Sequence, residues 1–170
     1  IILETLLEAL NPIWENRPAF LGRPLGDCWP HPAVGFVPLH KLSQWLAYSL
    51  IEPLQEAGVP VINIDGLTGL AEYRNGGLFI DMGVLQLKHA PPDRIYNVAD
   101  QAISEWRSLT VALLDRIADL VRTRFDVTDA AFPLACVLEG GTWAAGREIA
   151  RQRRSDGGPP LLIHSDGTVF

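Results

Sequence analysis

The longest regular pattern in the sequence is a stripe of apolar residues at helical spacing over residues 98–124. Positions three and four apart share one face of an α-helix, so this stripe predicts a long amphipathic helix. Such a helix must bury its apolar face against other elements, which favours a helical core. The stripe consists of Ile103, Trp106, Leu113, Ile117 and Leu120.

Other segments predict shorter elements around this helix. Residues 1–10 and 39–57 have helical spacing, with Pro53 expected to bend the second helix, and a last helix is predicted from Asp129 or Pro133 to Arg154. Residues 17–37 predict an irregular, ordered wrap, and Pro91-Pro92 is expected to separate the extended segment at 78–80 from the long helix. Short extended segments are predicted at 59–64, 78–80 and 161–170, the last as a strand or hairpin around Asp166-Gly167.

These elements predict a mainly α-helical fold with a few short strands, of the α+β class. With 170 residues, 48% of them hydrophobic and 20% charged, the chain is expected to form a single domain over residues 1–170.

The net charge and the cysteine content limit which partners the protein can bind and which cellular compartment it can occupy. A net charge of −6 disfavours nucleic acid and anionic membranes, which would repel the chain. The sequence has no apolar run long enough to span a bilayer and no signal region. Cys28 and Cys136 are too few for a disulfide framework and indicate a reducing compartment, so we predict a cytoplasmic protein.

The segment 65–81, DGLTGLAEYRNGGLFID, combines three carboxylates, an arginine, a tyrosine and four glycines between apolar stretches. This composition suits neither a core nor a solvated surface, and we interpret the segment as part of an active site. Thr68 is expected to cap a short helix over residues 69–74, and Gly76-Gly77 to end it.

Three carboxylates stand where solvation is limited: Asp65 after an apolar run, Glu72 in the short helix, and Glu139 within the apolar stretch 132–150. A carboxylate removed from water must be paired or hydrogen-bonded, and in active sites this tunes its pKa for acid or base chemistry. Each also has a structural interpretation. Asp65 fits a turn, Glu72 a surface charge cluster with Arg74, and Glu139 an ion pair with Arg147 or another helix.

The sequence lacks the motifs of several common catalytic and cofactor-binding sites. The sequence contains no serine-hydrolase elbow, no Walker-type phosphate loop and no dinucleotide fingerprint. The four histidines, His31, His40, His89 and His164, are scattered without metal-ligand spacing. We therefore predict neither a metal site nor a cofactor.

Four strings resemble a known family, the uracil-catabolism proteins of the ribosylurea pathway (Urc-four or Urg-three type). They are VPLHKLSQWL at 37–46, DGLTGLAEYRNGG at 65–77, LEGGTWAAG at 138–146 and SDGTVF at 165–170, which ends at Phe170. Members of this family are about twice as long, so the resemblance implies that the chain is the C-terminal half of a longer protein. This expectation agrees with the sequence, which starts with Ile1 instead of methionine and has Met82 as its sole methionine. The N-terminal half of the same protein is then an expected partner, and a homo-oligomer is left open.

The residues 70–74 are also similar to a string of the queuosine-salvage nucleoside hydrolases, which cleave an N-glycosidic bond and have a helical, DNA-glycosylase-like fold. Both resemblances imply a small-molecule nucleoside or nucleotide derivative as substrate. The reaction they imply is hydrolysis of the sugar–nitrogen bond of ribosylurea, or of its 5′-phosphate, with release of urea.

That reaction assigns roles to the residues above. Glu72 or Asp65 would stabilise positive charge at the anomeric carbon and activate water, while Tyr73 or a protonated Glu139 would protonate the leaving nitrogen. Arg74 and Lys41 would hold a 5′-phosphate.

Further substrate-binding candidates are the close backbones of Gly76 and Gly77, together with Asp81 and Trp143; Asp81 also fits a strand-end cap, and Trp143 also fits simple packing. Two alternatives to glycoside hydrolysis are a ureido-amide or ring-opening hydrolase of the same pathway, and a non-catalytic nucleotide-binding subunit.

Overall fold

Six α-helices are the main regular elements of the part of the chain that the computed structural model describes, residues 1–14, 17–88, 90–91 and 93–169. Of the positions singled out above, His89, Pro92 and Phe170 lie outside these residues. The mainly α-helical prediction is confirmed. The helices are α1 (Ile2–Leu10), α2 (Lys41–Glu56), α3 (Tyr73–Asp81), α4 (Gln101–Phe125), α5 (Leu134–Val137) and α6 (Ala144–Arg153).

Short strands pair in three two-stranded sheets within the described residues. The segment predicted as an irregular wrap contains two antiparallel pairs, and the remaining pair is parallel and joins distant parts of the chain. The strands are β1 (Ala19–Phe20) with β2 (Arg23–Pro24), β3 (Cys28–His31) with β4 (Gly35–Pro38), and β5 (Ile95–Asn97) with β6 (Leu162–His164).

Helix α4 lies at the centre of the core, as its apolar stripe predicts. Ile103 and Trp106 pack with the β5–β6 pair, whereas Leu114 packs with Phe79 of α3. Its C-terminal end is not in the core: Leu120, counted above in the stripe, is 69% exposed. The helix ends at Asp126, which adopts a left-handed backbone conformation with φ of 54°.

Helix α3 differs from the prediction. The segment 69–74 is not a helix ended by Gly76-Gly77, and residues 78–80 are helical rather than extended. Both glycines lie inside α3, where their missing side chains allow close packing: a Cβ on Gly76 would lie 2.7 Å from Thr110 Oγ1, and one on Gly77 would lie 3.2 Å from Pro160. Packing of Gly76 against α4 and of Gly77 against Pro160 thus outweighs the low helix propensity of glycine.

Three other local predictions need correction or detail. Residues 59–63 form no strand and lead into a 3₁₀ turn, Ile64–Gly66. Of the strand or hairpin predicted for residues 161–170, the described residues form the strand, β6, which pairs in parallel with β5 rather than in a hairpin. The last helix is interrupted by a π-helical segment, Leu138–Trp143, between α5 and α6.

Among the residues that the structure describes, no helix is long and apolar enough to cross a membrane.

Candidate functional site

Glu72 is the N-cap of α3, in the place that the sequence analysis gave to Thr68. Its extended backbone turns the carboxylate back onto the helix end, where Oε1 accepts from the Asn75 amide at 2.5 Å and Oε2 from the Arg74 amide at 2.9 Å. The first N–H groups of a helix have no partner within the helix, and the helix dipole favours an anion there. Thr68 instead donates its hydroxyl to the Gly69 carbonyl at 3.0 Å.

The Glu72 carboxylate is nearly buried, with 8% of the residue exposed. Burial raises its pKa above the ordinary value, and the amides of Arg74 and Asn75 and the charges of Lys41 and Arg74 offset this in part. Burial likewise lowers the pKa of the Lys41 ammonium, against the attraction of Glu72. The site therefore holds opposite charges in partly dehydrated surroundings, where electrostatic interactions are stronger than in water.

A buried ion pair between Asp27 and Arg107 lies behind this carboxylate. The Arg107 guanidinium donates to both carboxylate oxygens, at 2.7 and 2.8 Å, although 80 positions separate the two residues. Asp27 also accepts from the Trp29 indole at 2.6 Å and from the Lys41 amide at 2.9 Å. Burial raises the pKa of Asp27, but the charge and hydrogen bonds of Arg107 and the other donors outweigh burial and hold it below its usual value.

Arg107 also fixes two backbone segments beside the site. It donates to the Ala71 carbonyl, immediately before Glu72, and to the Val169 carbonyl near the chain end, both at 3.0 Å. Together with the Asp27–Lys41 contact, these bonds join three of the four strings noted in the sequence, at 37–46, 65–77 and 165–170.

The fourth string joins through helix α3. The Thr142 hydroxyl donates to Asn75 Oδ1 at 2.9 Å, and both residues are buried. A Cβ on Gly146 would overlap the carbonyl oxygen of Arg74, so α6 packs closely against the first turn of α3. All four strings therefore meet around the N-terminal end of α3.

The segment 165–169 borders the Lys41 side chain. The Lys41 ammonium donates to the Gly167 carbonyl at 3.3 Å, and Asp166 is close enough for its charge to act on the Lys41 pKa. Arg17 holds this segment from the other side through an ion pair with Asp166 at 3.0 Å and a hydrogen bond to Thr168.

Arg74 extends from α3 over two aromatic rings. Its guanidinium carbon lies 4.9 Å from the centre of the Tyr73 ring and 5.3 Å from that of Trp143. Arg147 of α6 lies over the same Trp143 ring at 4.8 Å. Tyr73 and Trp143, predicted separately, thus both lie within cation–π distance of Arg74, two residues after Glu72.

The π-helical segment 138–143 contains Gly140 and Gly141. A Cβ on Gly140 or Gly141 would meet no atom within 4 Å, so close packing does not account for them. Glu139, in the same segment, is exposed. Interruptions of this type often occur at functional sites, and this one presents Thr142 and Trp143 to α3.

Asp65 and Asp81 lie apart from Glu72. Asp65 is exposed and lines a different cleft of about 500 Å³, which Tyr48 and Arg122 also line. Asp81 lies at the opposite end of α3, roughly 13 Å away at 1.5 Å per helical residue. It forms a two-pronged ion pair with Arg154 of α6, at 2.8 and 2.5 Å.

Asp27, Arg107 and Arg147 also belong to this site, although the sequence alone did not indicate them as site residues. Arg107 follows the stripe residue Ile103 by four positions, so its place on the apolar face was a usable signal. Asp27 stands in the segment interpreted as an irregular wrap, where nothing indicated burial. Among the described residues, no group of three or more His, Cys, Asp or Glu side chains is placed to hold a metal ion.

The fold and the site define a mainly α-helical protein with a buried carboxylate capping a short central helix. The chain belongs to the family described as "Protein of unknown function (DUF1688)", which matches residues 1–170. Two curated relatives confirm the resemblance to the Urg-three and Urc-four proteins.

The first relative is "Protein urg3" of Schizosaccharomyces pombe (strain 972 / ATCC 24843), 46% identical over 176 residues, which cover 99% of this chain and 43% of the relative. The second is "Uracil catabolism protein 4" of Lachancea kluyveri, 40% identical over 200 residues, which cover 99% of this chain and 45% of the relative. The chain thus spans less than half the length of these relatives. No solved structure matches it, and the DNA-glycosylase-like arrangement and the queuosine-salvage resemblance stay predictions.

Proposed function

We propose that the chain is part of a uracil-catabolism enzyme that hydrolyses the sugar–nitrogen bond of ribosylurea, or of its 5′-phosphate, and releases urea. The observation that carries this proposal is the Glu72 carboxylate, nearly buried and fixed by two backbone amides at the point where the four family strings meet. The name of the Lachancea kluyveri relative supports the pathway.

The chemistry requires a carboxylate in a fixed position. When the bond from the anomeric carbon to nitrogen breaks, positive charge develops on the sugar ring, and a carboxylate beside it lowers the energy of the transition state. Each Glu72 oxygen accepts one amide bond and keeps a second lone pair, which can accept a proton from the attacking water. Water adds to the anomeric carbon, and urea leaves with the protonated nitrogen.

Burial favours Glu72 over Asp65 for this role, because an exposed carboxylate is screened by water. Tyr73 follows Glu72 directly and is our candidate for the group that donates a proton or hydrogen bond to urea. Glu139, the other residue predicted for this role, is exposed, so screening by water counts against it as it does against Asp65. Lys41 helps to keep Glu72 ionised, since its positive charge lowers the Glu72 pKa against the effect of burial.

A cap without catalytic function is the competing explanation, because both Glu72 oxygens are bonded to amides. The substitution Glu72→Asp separates the two. Aspartate is a favoured N-cap, so helix α3 keeps its cap and its charge. The carboxylate, however, retreats by about 1.5 Å, and a displacement of about 1 Å at a reacting centre can lower the rate about 100-fold.

The measurement is urea release by the purified full-length protein from ribosylurea and from its 5′-phosphate. We expect release from the wild type, a loss of about 100-fold in Glu72→Asp with the melting temperature nearly unchanged, and wild-type behaviour of the exposed control Glu148→Asp. If the wild type releases no urea from either compound, the proposed reaction is wrong. If Glu72→Asp retains full activity, Glu72 is only a cap.

A further inference from the structure

Helix α1 has an apolar face that the described part of the chain covers only in part. Apolar side chains recur along α1 at helical spacing, yet no residue of this helix is buried, whereas α4 buries seven. The helix has nine residues, and helices shorter than about 12–15 residues are marginal in water unless their apolar face packs against other elements. A further packing partner would therefore stabilise α1. The partly exposed apolar residues of this face are Ile2, Leu3, Leu6, Leu7 and Leu10.

Helix α2, against which α1 packs, also exposes apolar side chains. Trp45 is 50% exposed and Leu50 is 39% exposed, and Trp45 is the most exposed of the five tryptophans of the chain. Exposed apolar side chains that lie together, and tryptophans above all, are typical of surfaces that bind another part of a protein. We call the apolar face of α1, together with Trp45 and Leu50, the α1–α2 surface.

The charged residues of these two helices are mostly acidic. Glu4 and Glu8 of α1 and Glu52 and Glu56 of α2 are exposed, and the sole basic residue of the two helices is Lys41, at the first position of α2. In a two-fold symmetric contact between copies, a surface meets itself, so these carboxylates would approach one another and repel. The charge therefore disfavours a second copy of the chain and favours a partner with basic residues around its apolar contacts.

The length of the relatives indicates what this partner is. The matched regions cover 43% and 45% of the two curated relatives, so more than half of each relative lies outside the region that this chain matches. We infer that the α1–α2 surface is the docking surface for the part of the full-length protein outside residues 1–170, which packs on it through apolar side chains bordered by basic ones. This contact is independent of the proposed reaction. It would also steady one side of the candidate site, because α2 begins at Lys41, which lies close enough to Glu72 for their charges to interact.

Hydroxyl-radical footprinting of the full-length protein, read by peptide mass spectrometry, tests the docking surface. Oxidation follows exposure, so an uncovered Trp45 would react on the order of tenfold faster than Trp29, which is 3% exposed. We expect Trp45 to react as slowly as Trp29 in the wild type. Trp45→Glu places a charge in the contact and should increase the oxidation of Leu3 and Leu7 severalfold. The matched control is Leu109→Glu, at a 47% exposed position of α4, and it should leave their oxidation unchanged.

Fast oxidation of Trp45 in the full-length wild type would overturn the inference, as would equal oxidation of Leu3 and Leu7 in Trp45→Glu and Leu109→Glu. Analytical ultracentrifugation at the concentrations used for footprinting separates the two possible occupants. Protection of Trp45 in the monomer would support a contact within one polypeptide. Protection that is lost as dimers dissociate on dilution would assign the surface to a second copy and would overturn the inference. If Trp45→Glu does not fold, the footprint of the wild type at each concentration decides.

Discussion

Replacing Asp27 with asparagine tests whether the buried ion pair fixes the site. Asp27 accepts four hydrogen bonds through its two oxygens: from the Trp29 indole and one Arg107 nitrogen on Oδ1, and from the Lys41 amide and the other Arg107 nitrogen on Oδ2. Asparagine has nearly the same shape as aspartate, but an NH₂ group replaces one of the two carboxylate oxygens. Its NH₂ group would face two donors whichever way the amide is turned, and the Arg107 charge would have no counter-ion.

The magnitude follows from these contacts. Two hydrogen bonds to charged groups are lost, each worth about 1.5–3 kcal/mol, for a total of about 3–6 kcal/mol. The range of about 3–5 kcal/mol for removing one partner of a buried ion pair agrees with this. In a domain of this size, 1 kcal/mol shifts the melting temperature by roughly 2–4 °C, so we expect a decrease on the order of 10 °C.

Thermal unfolding followed by circular dichroism measures this decrease. The matched control is Asp119→Asn. It affects the ion pair between Asp119 and Arg122, in which the Asp119 side chain is 76% exposed, and it should change the free energy of unfolding by less than about 1 kcal/mol.

The contribution of Asp27 to stability should depend on pH. Because its folded-state pKa is lowered, this contribution is present above the unfolded-state pKa of about 3.8 and is lost as the pH falls through the folded-state pKa. The difference between wild type and Asp27→Asn should therefore be full at neutral pH and shrink in acid. Equal melting temperatures of Asp27→Asn and Asp119→Asn at neutral pH would refute this reasoning.

Two further substitutions test the site and its packing. Lys41→Met removes a charge that lowers the Glu72 pKa, so the acidic limb of the pH profile of urea release should move to higher pH; an unmoved limb would show that Lys41 does not act on the reacting group. Gly146→Ala places a Cβ against the Arg74 carbonyl and should destabilise the protein by about 1–3 kcal/mol, measured by thermal unfolding. Gly140→Ala, which meets only open space, should be neutral or stabilising by up to about 1 kcal/mol, and the same loss in both variants would contradict the packing argument.

The sequence predicts best where one local pattern decides the structure. Helix α4 is such a case, because its apolar positions repeat at helical spacing and its burial follows. Helix α3 is the opposite case: Gly76 and Gly77 indicate a helix end locally, whereas their contacts with Thr110 and Pro160, distant in sequence, keep them helical. Long-range packing of this kind leaves no trace in local spacing.

The candidate site was predicted in part for the same reason. Its central carboxylate, Glu72, stood out because the surrounding segment is unusual in composition. The ion pair that positions it was not predictable from spacing, since Asp27 and Arg107 are 80 residues apart and meet only in the fold. Likewise, the sequence suggested Arg147 only as an ion-pair partner of Glu139, whereas in the fold Arg147 and Arg74 both lie within cation–π distance of the Trp143 ring.

The most direct test of the central claim follows the carbon of the ureido group. Full-length protein is incubated with ribosyl-[¹³C]urea and with its 5′-phosphate, and the products are followed by ¹³C NMR. Cleavage of the sugar–nitrogen bond at Glu72 predicts that the label appears in free urea and that ribose or ribose 5-phosphate forms in equal amount. Label in bicarbonate, with ammonia and no urea, would show that the ureido amide is hydrolysed instead and would contradict the account.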